Sequence, residues 1–350
     1  MAQSALRNSS SLISRQYDRE ITITFELPSL MIRWHGVARF LLEEAIIPRL
    51  LLIRFCVVVG ISNWLFLGSA CQTVQAQPLS LWRIDNNDAR VYLLGSVHAL
   101  RPDVYPLAAE IDAAFEESDK TVFEVDLSLE SSYEVSALMQ QKGTYPHPQT
   151  IDSQISPATL ERLKAYFSSN NLQISDFRRM RPWLISLQIG IYELGKLGYD
   201  PDLGIDLYYQ KKARASGKPI MQLETLAEQI DLLAGDPVDT QDISLRALLE
   251  EIDDMDSQIK DLMAAWQQGA VDHMYELSTR SSQNYPELVE QLSRLLDQRN
   301  ARMAEKINAY LNTKQSYFVV IGALHMGGPN GILALLGKDH RIVQLQHSRK

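Results

Sequence analysis

The sequence predicts an α/β domain: a central sheet carrying its functional side chains at strand carboxyl ends, with a large helical insertion at about 130–313. Three observations lead there. Short apolar runs bounded by turn residues stand at both ends of the region 77–350, as buried strands do. Helical periodicity fills most of the middle, so strands frame helices in one domain. Two of the apolar runs, Tyr92-Leu-Leu-Gly-Ser-Val-His98 and Val319-Val-Ile-Gly-Ala-Leu-His325, finish in the same Gly-x-x-His. The carboxyl end of a strand is where α/β sheets collect ligands and reactive groups. Glycine there is expected to permit a turn that a side chain would forbid.

Taken in order, 81–84 and 90–94 read as paired strands joined by the turn Asp85-Asn-Asn-Asp88. Beyond His98 and Pro102, the spacing of Leu107, Ile111, Ala114 and Phe115 predicts a helix. Thr121-Val-Phe-Glu-Val-Asp-Leu127 predicts the next strand. The stretch from about 130 to 215 reads as helical, broken at Pro146, Pro148, Pro182 and Pro201. Lys218-Pro-Ile-Met-Gln-Leu223 is a further strand ending at Glu224, followed by helical pattern to about 313. Strands at 316–321 and 341–345 close the domain, with a helix over 331–336 between them.

The region before 77 reads as an N-terminal extension and signal peptide rather than fold. Arg49 and Arg54 precede the apolar stretch 55–67, and Val74-Gln-Ala76 resembles a cleavage site, which makes Gln77 the expected mature start. Export to the periplasm or the medium follows. An uncleaved signal would anchor the protein in the membrane, and Leu67-Gly-Ser-Ala-Cys71 loosely resembles a lipid-attachment site. Residues 1–48 sit awkwardly before any signal, as an over-long start with Met31 or a later codon as the true one would explain. Both cysteines, Cys56 and Cys71, fall before the expected cut, so the mature chain has no disulfide framework, thiol nucleophile or cysteine-rich zinc site. The net charge of −9 argues against nucleic acid as the main partner.

His98 and His325 are the core of the chemical case. A single histidine is usually a structural hydrogen-bonding group, but a matched pair at strand ends invites a divalent metal, with a carboxylate as third ligand. Glu124 is the strongest third group, because its apolar strand would not bury a carboxylate without a partner. Asp126, two residues on, is expected on the same side, and Glu224 ends its strand in the same way. The bland alternative for Glu124 and Glu224 is an ion pair with arginine. Arg181 of Arg181-Pro-Trp183 is a supporting candidate whose plainer role is a helix start, and Asp206 can equally be a helix cap. Arg299 and Asn300 can reach a substrate carbonyl or face solvent. His147 and His273 read as exposed. The chain has no Gly-x-Ser-x-Gly elbow and no HExxH helix, which argues against a serine hydrolase and a zincin.

The combination of Val91–His98, Phe123-Glu-Val-Asp126 and Gly322-Ala-Leu-His325 resembles the TraB/PrgY/GumN family, in its bacterial GumN branch. Supporting matches are Arg181-Pro-Trp183, Gly198-Tyr-Asp-Pro201, Gly204-Ile-Asp206, Leu223-Glu-Thr225 with Gln229, Ala265-Trp266 with Gly269, and Arg299-Asn300 with Met303. Ala270 and Tyr209 depart from the family's usual Asp and Phe. The resemblance implies kinship with erythromycin-esterase-like and haem-binding ChaN-like folds. It also implies the metalloprotease chemistry of the animal Tiki members, with His98, Glu124 and His325 around manganese or cobalt, or zinc. The expected function is metal-dependent hydrolysis of a peptide or protein substrate. The alternatives are a non-catalytic haem or metal binder, and a metal-independent His/Glu esterase.

Overall fold

The computed structural model describes residues 77–126 and 132–347. The predicted signal segment, with Cys56 and Cys71, lies outside these residues, and so does Leu127. Six strands form one mixed sheet: β1 (Gln77–Asn86), β2 (Ala89–Ser96), β3 (Lys120–Phe123), β4 (Ile220–Gln222), β5 (Ser316–Gly322) and β6 (Ile342–His347), in the order β4-β3-β5-β2-β1-β6. The four strands β4, β3, β5 and β2 run parallel, while β1 is antiparallel to β2 and β6 to β1. β5, from the far end of the chain, therefore slots between β3 and β2, in register from Arg90↔Ser316 to Ser96↔Gly322.

Strands buried on both faces need apolar side chains at every position, not every second one. β2 and β5 have them: Val91, Leu93, Leu94, Phe318, Val319, Val320 and Ile321 are all fully buried. Alternation along β5 sends Phe318 to one face and Tyr317 to the other. Phe318 packs edge-on against Phe115 at 5.6 Å and against Tyr209 at 4.9 Å, which places helices Ala109–Glu117 and Ile205–Ser216 on one face. Tyr317 stacks on Tyr310 at 4.6 Å, which places helix Asp297–Tyr310 on the other. The sheet is thus the middle of three layers. Helices of the middle region, among them Pro182–Lys196 and Val238–Glu251, pack on one another, and the stretch 130–313 adds one described strand to the sheet, β4.

The Trp266 and Gly269 motif clamps the far side of the sheet. The Trp266 indole donates to the Gly95 carbonyl at 2.9 Å, Ser80 Oγ donates to the Trp266 carbonyl at 2.7 Å, and Gln344 Nε2 bridges the carbonyls of Leu79 and Gly269. Gly269 has φ +61°, and a side chain there would run into the Leu79 carbonyl. β3 is shorter than its apolar run predicts: it ends at Phe123, and Glu124 and Asp126 follow it as non-strand residues. Val125 is buried all the same, which is why the sequence reads as strand beyond the ladder. Among the described residues no helix is long and apolar enough to cross a membrane.

Candidate functional site

Four neighbouring parallel strands deliver four polar side chains in a row at their carboxyl ends: Glu224 after β4, Glu124 after β3, His325 after β5 and His98 after β2. The backbone pairing of β3 and β4 continues past the strands, with Glu224 N–H donating to the Glu124 carbonyl at 2.8 Å. His325 closes the short 3-10 turn Ala323–His325 that follows β5.

The centre of the arrangement is an absent methyl group. A Cβ on Gly322 would lie 3.1 Å from Glu124 Oε1 and 3.6 Å from both His98 Nε2 and His325 Cδ2. Gly322 itself has φ −49° and ψ 131°, a conformation open to any residue. Its glycine therefore serves space and not the turn, which corrects the expectation from sequence. Gly95 likewise lies inside β2, where an added Cβ would press on Ala323 Cβ at 3.3 Å.

Both imidazoles have their Nδ1 tied off. His98 Nδ1 meets Asp206 Oδ2 at 2.9 Å, and Asp206 Oδ1 accepts from Ser96 Oγ at 2.9 Å. His325 Nδ1 meets Asn300 Oδ1 at 2.6 Å, while Asn300 Nδ2 donates to the Asn330 carbonyl at 3.0 Å. That second bond fixes the amide: its oxygen faces the ring, so His325 carries its proton on Nδ1 and presents a bare Nε2. Asp206 is in the first turn of helix Ile205–Ser216, and its carboxylate serves the histidine and not the helix end, which Gly204 caps without a side-chain bond.

Glu124 is 6% exposed and accepts three hydrogen bonds. Its Oε1 accepts from Gly322 N–H at 2.6 Å; its Oε2 accepts from Arg299 Nη2 at 2.8 Å and from Gln229 Nε2 at 3.1 Å. Arg299 also grips Glu224, through Nε to both oxygens at 3.0 Å and through Nη2 at 2.7 Å, and its Nη1 donates to the Leu295 carbonyl. Arg302 stands 3.7 Å from Glu224. The ion-pair reading thus holds for Glu124 as well as for Glu224, although a site role was the stronger expectation for Glu124. Arg299 and Asn300 do not face solvent: Arg299, 11% exposed, bonds Glu124, Glu224 and the Leu295 carbonyl, and Asn300, 1% exposed, holds His325.

Asp126 is buried and accepts from Arg214 Nη2 at 2.7 Å. Arg181 precedes the helix Pro182–Lys196, as its helix-start reading expects, and stacks over the Tyr145 ring at 4.9 Å. His147 and His273 are exposed. Two contributors were not picked as site residues from the sequence. Ser96 lies inside the Gly-Ser-Val-His run, where the signal was its position. Gln229 sits in the second turn of helix Leu226–Ala234, whose start is locked by a reciprocal Thr225–Glu228 cap.

The two histidines differ in charge. The Asp206 carboxylate pulls the His98 pKa up to about 9. Solvent reaches the ring, whose side chain is 70% exposed, and screens part of that attraction. Burial pushes His325 down to about 4, with Arg299 adding to it and Glu124 opposing. Burial alone would raise Glu124, but His325, His98 and Arg299 outweigh it and hold the carboxyl below its usual range. The linkage signs follow. His98 lends stability below its unfolded pKa near 6.5 and loses it as pH rises toward about 9. His325 lends stability above 6.5 and loses it as pH falls toward about 4. In metal-free protein, nitrogen-detected NMR should find His98 charged and His325 neutral at pH 7. Both rings titrating together near 6.5 would contradict the pairing described.

One imidazole nitrogen, His98 Nε2, and one carboxylate oxygen, Glu124 Oε1, border the Gly322 space beside the His325 ring edge, and each ring is oriented by a second group through Nδ1. Among the described residues no group of three or more His, Cys, Asp or Glu is arranged to hold a metal ion.

A family model described as the TraB/PrgY/gumN family matches residues 80–344, a span that holds every site residue above. The chain is 23% identical over 249 residues to "Uncharacterized protein YbaP" of Escherichia coli (strain K12), covering 70% of this chain and 87% of that protein. It is similar to the same degree to the YbaP of Shigella flexneri. No solved structure matches.

Proposed function

The chain belongs to the TraB/PrgY/gumN family, and we propose that its His98, Glu124 and His325 pocket is the active site of a hydrolase acting on peptide bonds. The observation that carries this is the convergence at Gly322, where Glu124 Oε1, His98 Nε2 and the edge of the His325 ring border the space that a side chain would fill. In hydrolysis, the water oxygen bonds to the carbonyl carbon, the carbon–nitrogen bond breaks, and a proton from the water ends on the leaving amine. His98 and His325, with Glu124 as third donor, are the residues that would hold a divalent ion such as manganese, cobalt or zinc. When bound, such an ion polarises the scissile carbonyl and acidifies the attacking water. The protein's own part is orientation. Asp206 and Asn300 fix the two rings, and Arg299 and Gln229 keep Glu124 ionised and immobile.

One observation favours a second, metal-independent reading. His98 is open to solvent and backed by Asp206, and its raised pKa makes it a proton donor to a leaving group. The haem-binding alternative, and the ChaN-like fold that suggests it, rest on the sequence resemblance alone. Export is likewise a proposal, resting on the segment before Gln77.

A synthetic peptide library, incubated with residues 77–350, tests the metal-dependent, metal-independent and haem-binding readings. Cleavage that stops with chelator, returns with manganese or cobalt, and drops at least a hundredfold in His325→Ala and His98→Ala supports the metal reading. Cleavage that ignores chelator moves the assignment to the metal-independent reading. A Soret band on adding haem, with no cleavage, replaces both.

A further inference from the structure

The Ala265-Trp266 and Gly269 motif belongs to two consecutive helices, Met255–Gln267 and Val271–Ser278. They are joined by a tight reversal, in which Gly269 N–H donates to the Trp266 carbonyl and Ala270 N–H to the Ala265 carbonyl. The first helix reaches the turn that carries His98: the Trp266 indole N–H donates at 2.9 Å to the carbonyl of Gly95, three residues before that histidine. The second helix packs against the turn Ala323–His325 itself. It also grips the loop that follows. Asp272 Oδ1 accepts from Gly328 N–H at 2.9 Å, and Gly328, at φ +84°, sits so close to the Tyr275 ring that an added Cβ would lie 2.8 Å from it. The same loop includes Asn330, whose carbonyl holds Asn300, the partner of His325 Nδ1. Ala265, Trp266, Val271 and Met274 are all buried in the core, so the helix pair is one packed body.

We infer that these two helices form one brace that holds the His98 and His325 turns at a fixed separation, with Trp266 and Asp272 as positioning residues for the hydrolytic site. Groups that act together must be held within about 0.5 Å of their productive geometry. The ladder between β2 and β5 sets the spacing of the two turns only as far as its last pair, Ser96↔Gly322. Both histidines lie beyond that pair. The brace bonds to backbone on either side of it, at Gly95 in β2 and at Gly328 after the His325 turn. It therefore sets where each ring stands, while Asp206 and Asn300 set how each ring is rotated. Only the kinetic consequence rests on the hydrolase reading; the placement of the two rings does not.

The ring signals of His98 and His325, recorded by NMR on metal-free protein at pH 7, report ring placement directly. Trp266→Phe keeps an aromatic ring and removes the indole N–H. Asp272→Ala removes the acceptor at an exposed position, whereas Asp272→Asn keeps an oxygen that accepts from Gly328 N–H. Trp266→Phe and Asp272→Ala should each shift the signals of both histidines, and Asp272→Asn should leave both at their wild-type positions. In peptide cleavage the first two variants should lower kcat about tenfold, as loss of outer support to a site does, with KM little changed because both act on backbone and not on substrate. Circular dichroism reports folding, and the Asp272 variants decide the matter if Trp266→Phe does not fold. A shift confined to the nearer histidine in a folded variant, or no shift, overturns the brace, as does an Asn variant that behaves like the Ala variant. An unchanged kcat in folded variants of an active protein overturns the positioning role. A wild-type protein that cleaves no peptide removes the hydrolase reading and leaves the NMR result to decide the brace.

Discussion

Arg299→Ala should be the most damaging single substitution in the domain, costing about 3–5 kcal/mol of stability, because it leaves buried carboxylates without their cation. Side-chain exposures are 11% for Arg299, 8% for Glu124 and 5% for Glu224, so water cannot replace the lost bonds. What remains is Gly322 N–H and Gln229 on Glu124, and Gln229 with the distant Arg302 on Glu224. The guanidinium also ties three elements together, the ends of β3 and β4 and the helix Asp297–Tyr310, so its loss loosens the sheet against that helix. Arg299→Lys should recover only part, since an ammonium lacks the planar fork that reaches both carboxylates. Glu224→Gln in the Arg299→Ala background should recover more, by removing one of the stranded charges. The penalty should shrink as pH falls and protonation neutralises Glu124. Urea unfolding at pH 7 and pH 4 measures each step. A midpoint for Arg299→Ala close to wild type at pH 7 would mean that the pair is not buried as described.

Much of this site was legible in the chain, for a reason specific to strands. β2 and β5 are apolar at every position because both faces are covered, so where the apolar run stops is where the chain leaves the sheet. His98, His325 and Glu224 stand just past such stops, and the sequence located them. Glu124 was located by a different signal, a charge inside an apolar run, and the run misled about the strand's length because Val125 is buried beyond it. What sequence could not give was adjacency. β5 lies between β3 and β2 only through crossovers that span most of the domain, and no local pattern encodes that order. The roles of Asp206, Asn300 and Arg299 were hidden for the same reason. Each belongs to a helix whose partner in the cluster lies 108, 25 or 175 residues away, so its residue type was informative and its contact was not. Glycine was misread because the motif suggested a turn, whereas the backbone angles at Gly322 show that space between side chains is the constraint.

That distinction makes Gly322→Ala the sharpest test of the proposed chemistry. At φ −49° an alanine is under no backbone strain, so folding should tolerate it and unfolding should shift by no more than about 1 kcal/mol. The new methyl, however, would occupy the point between Glu124 Oε1, His98 Nε2 and His325 Cδ2. A contact of 3.1 Å to a carboxylate oxygen is too close to hold without movement, and that oxygen is fixed by Gly322 N–H on the same residue. Any water or ion bridging the three groups is displaced or pushed outward. Hydrolysis should therefore fall by at least about a hundredfold, as misplacement of reacting groups by about 1 Å does, while the fold stays intact. Peptide cleavage and urea unfolding, measured on the same preparation, give the two numbers. Full activity in a folded Gly322→Ala protein would show that the reaction does not pass through the space this glycine keeps open.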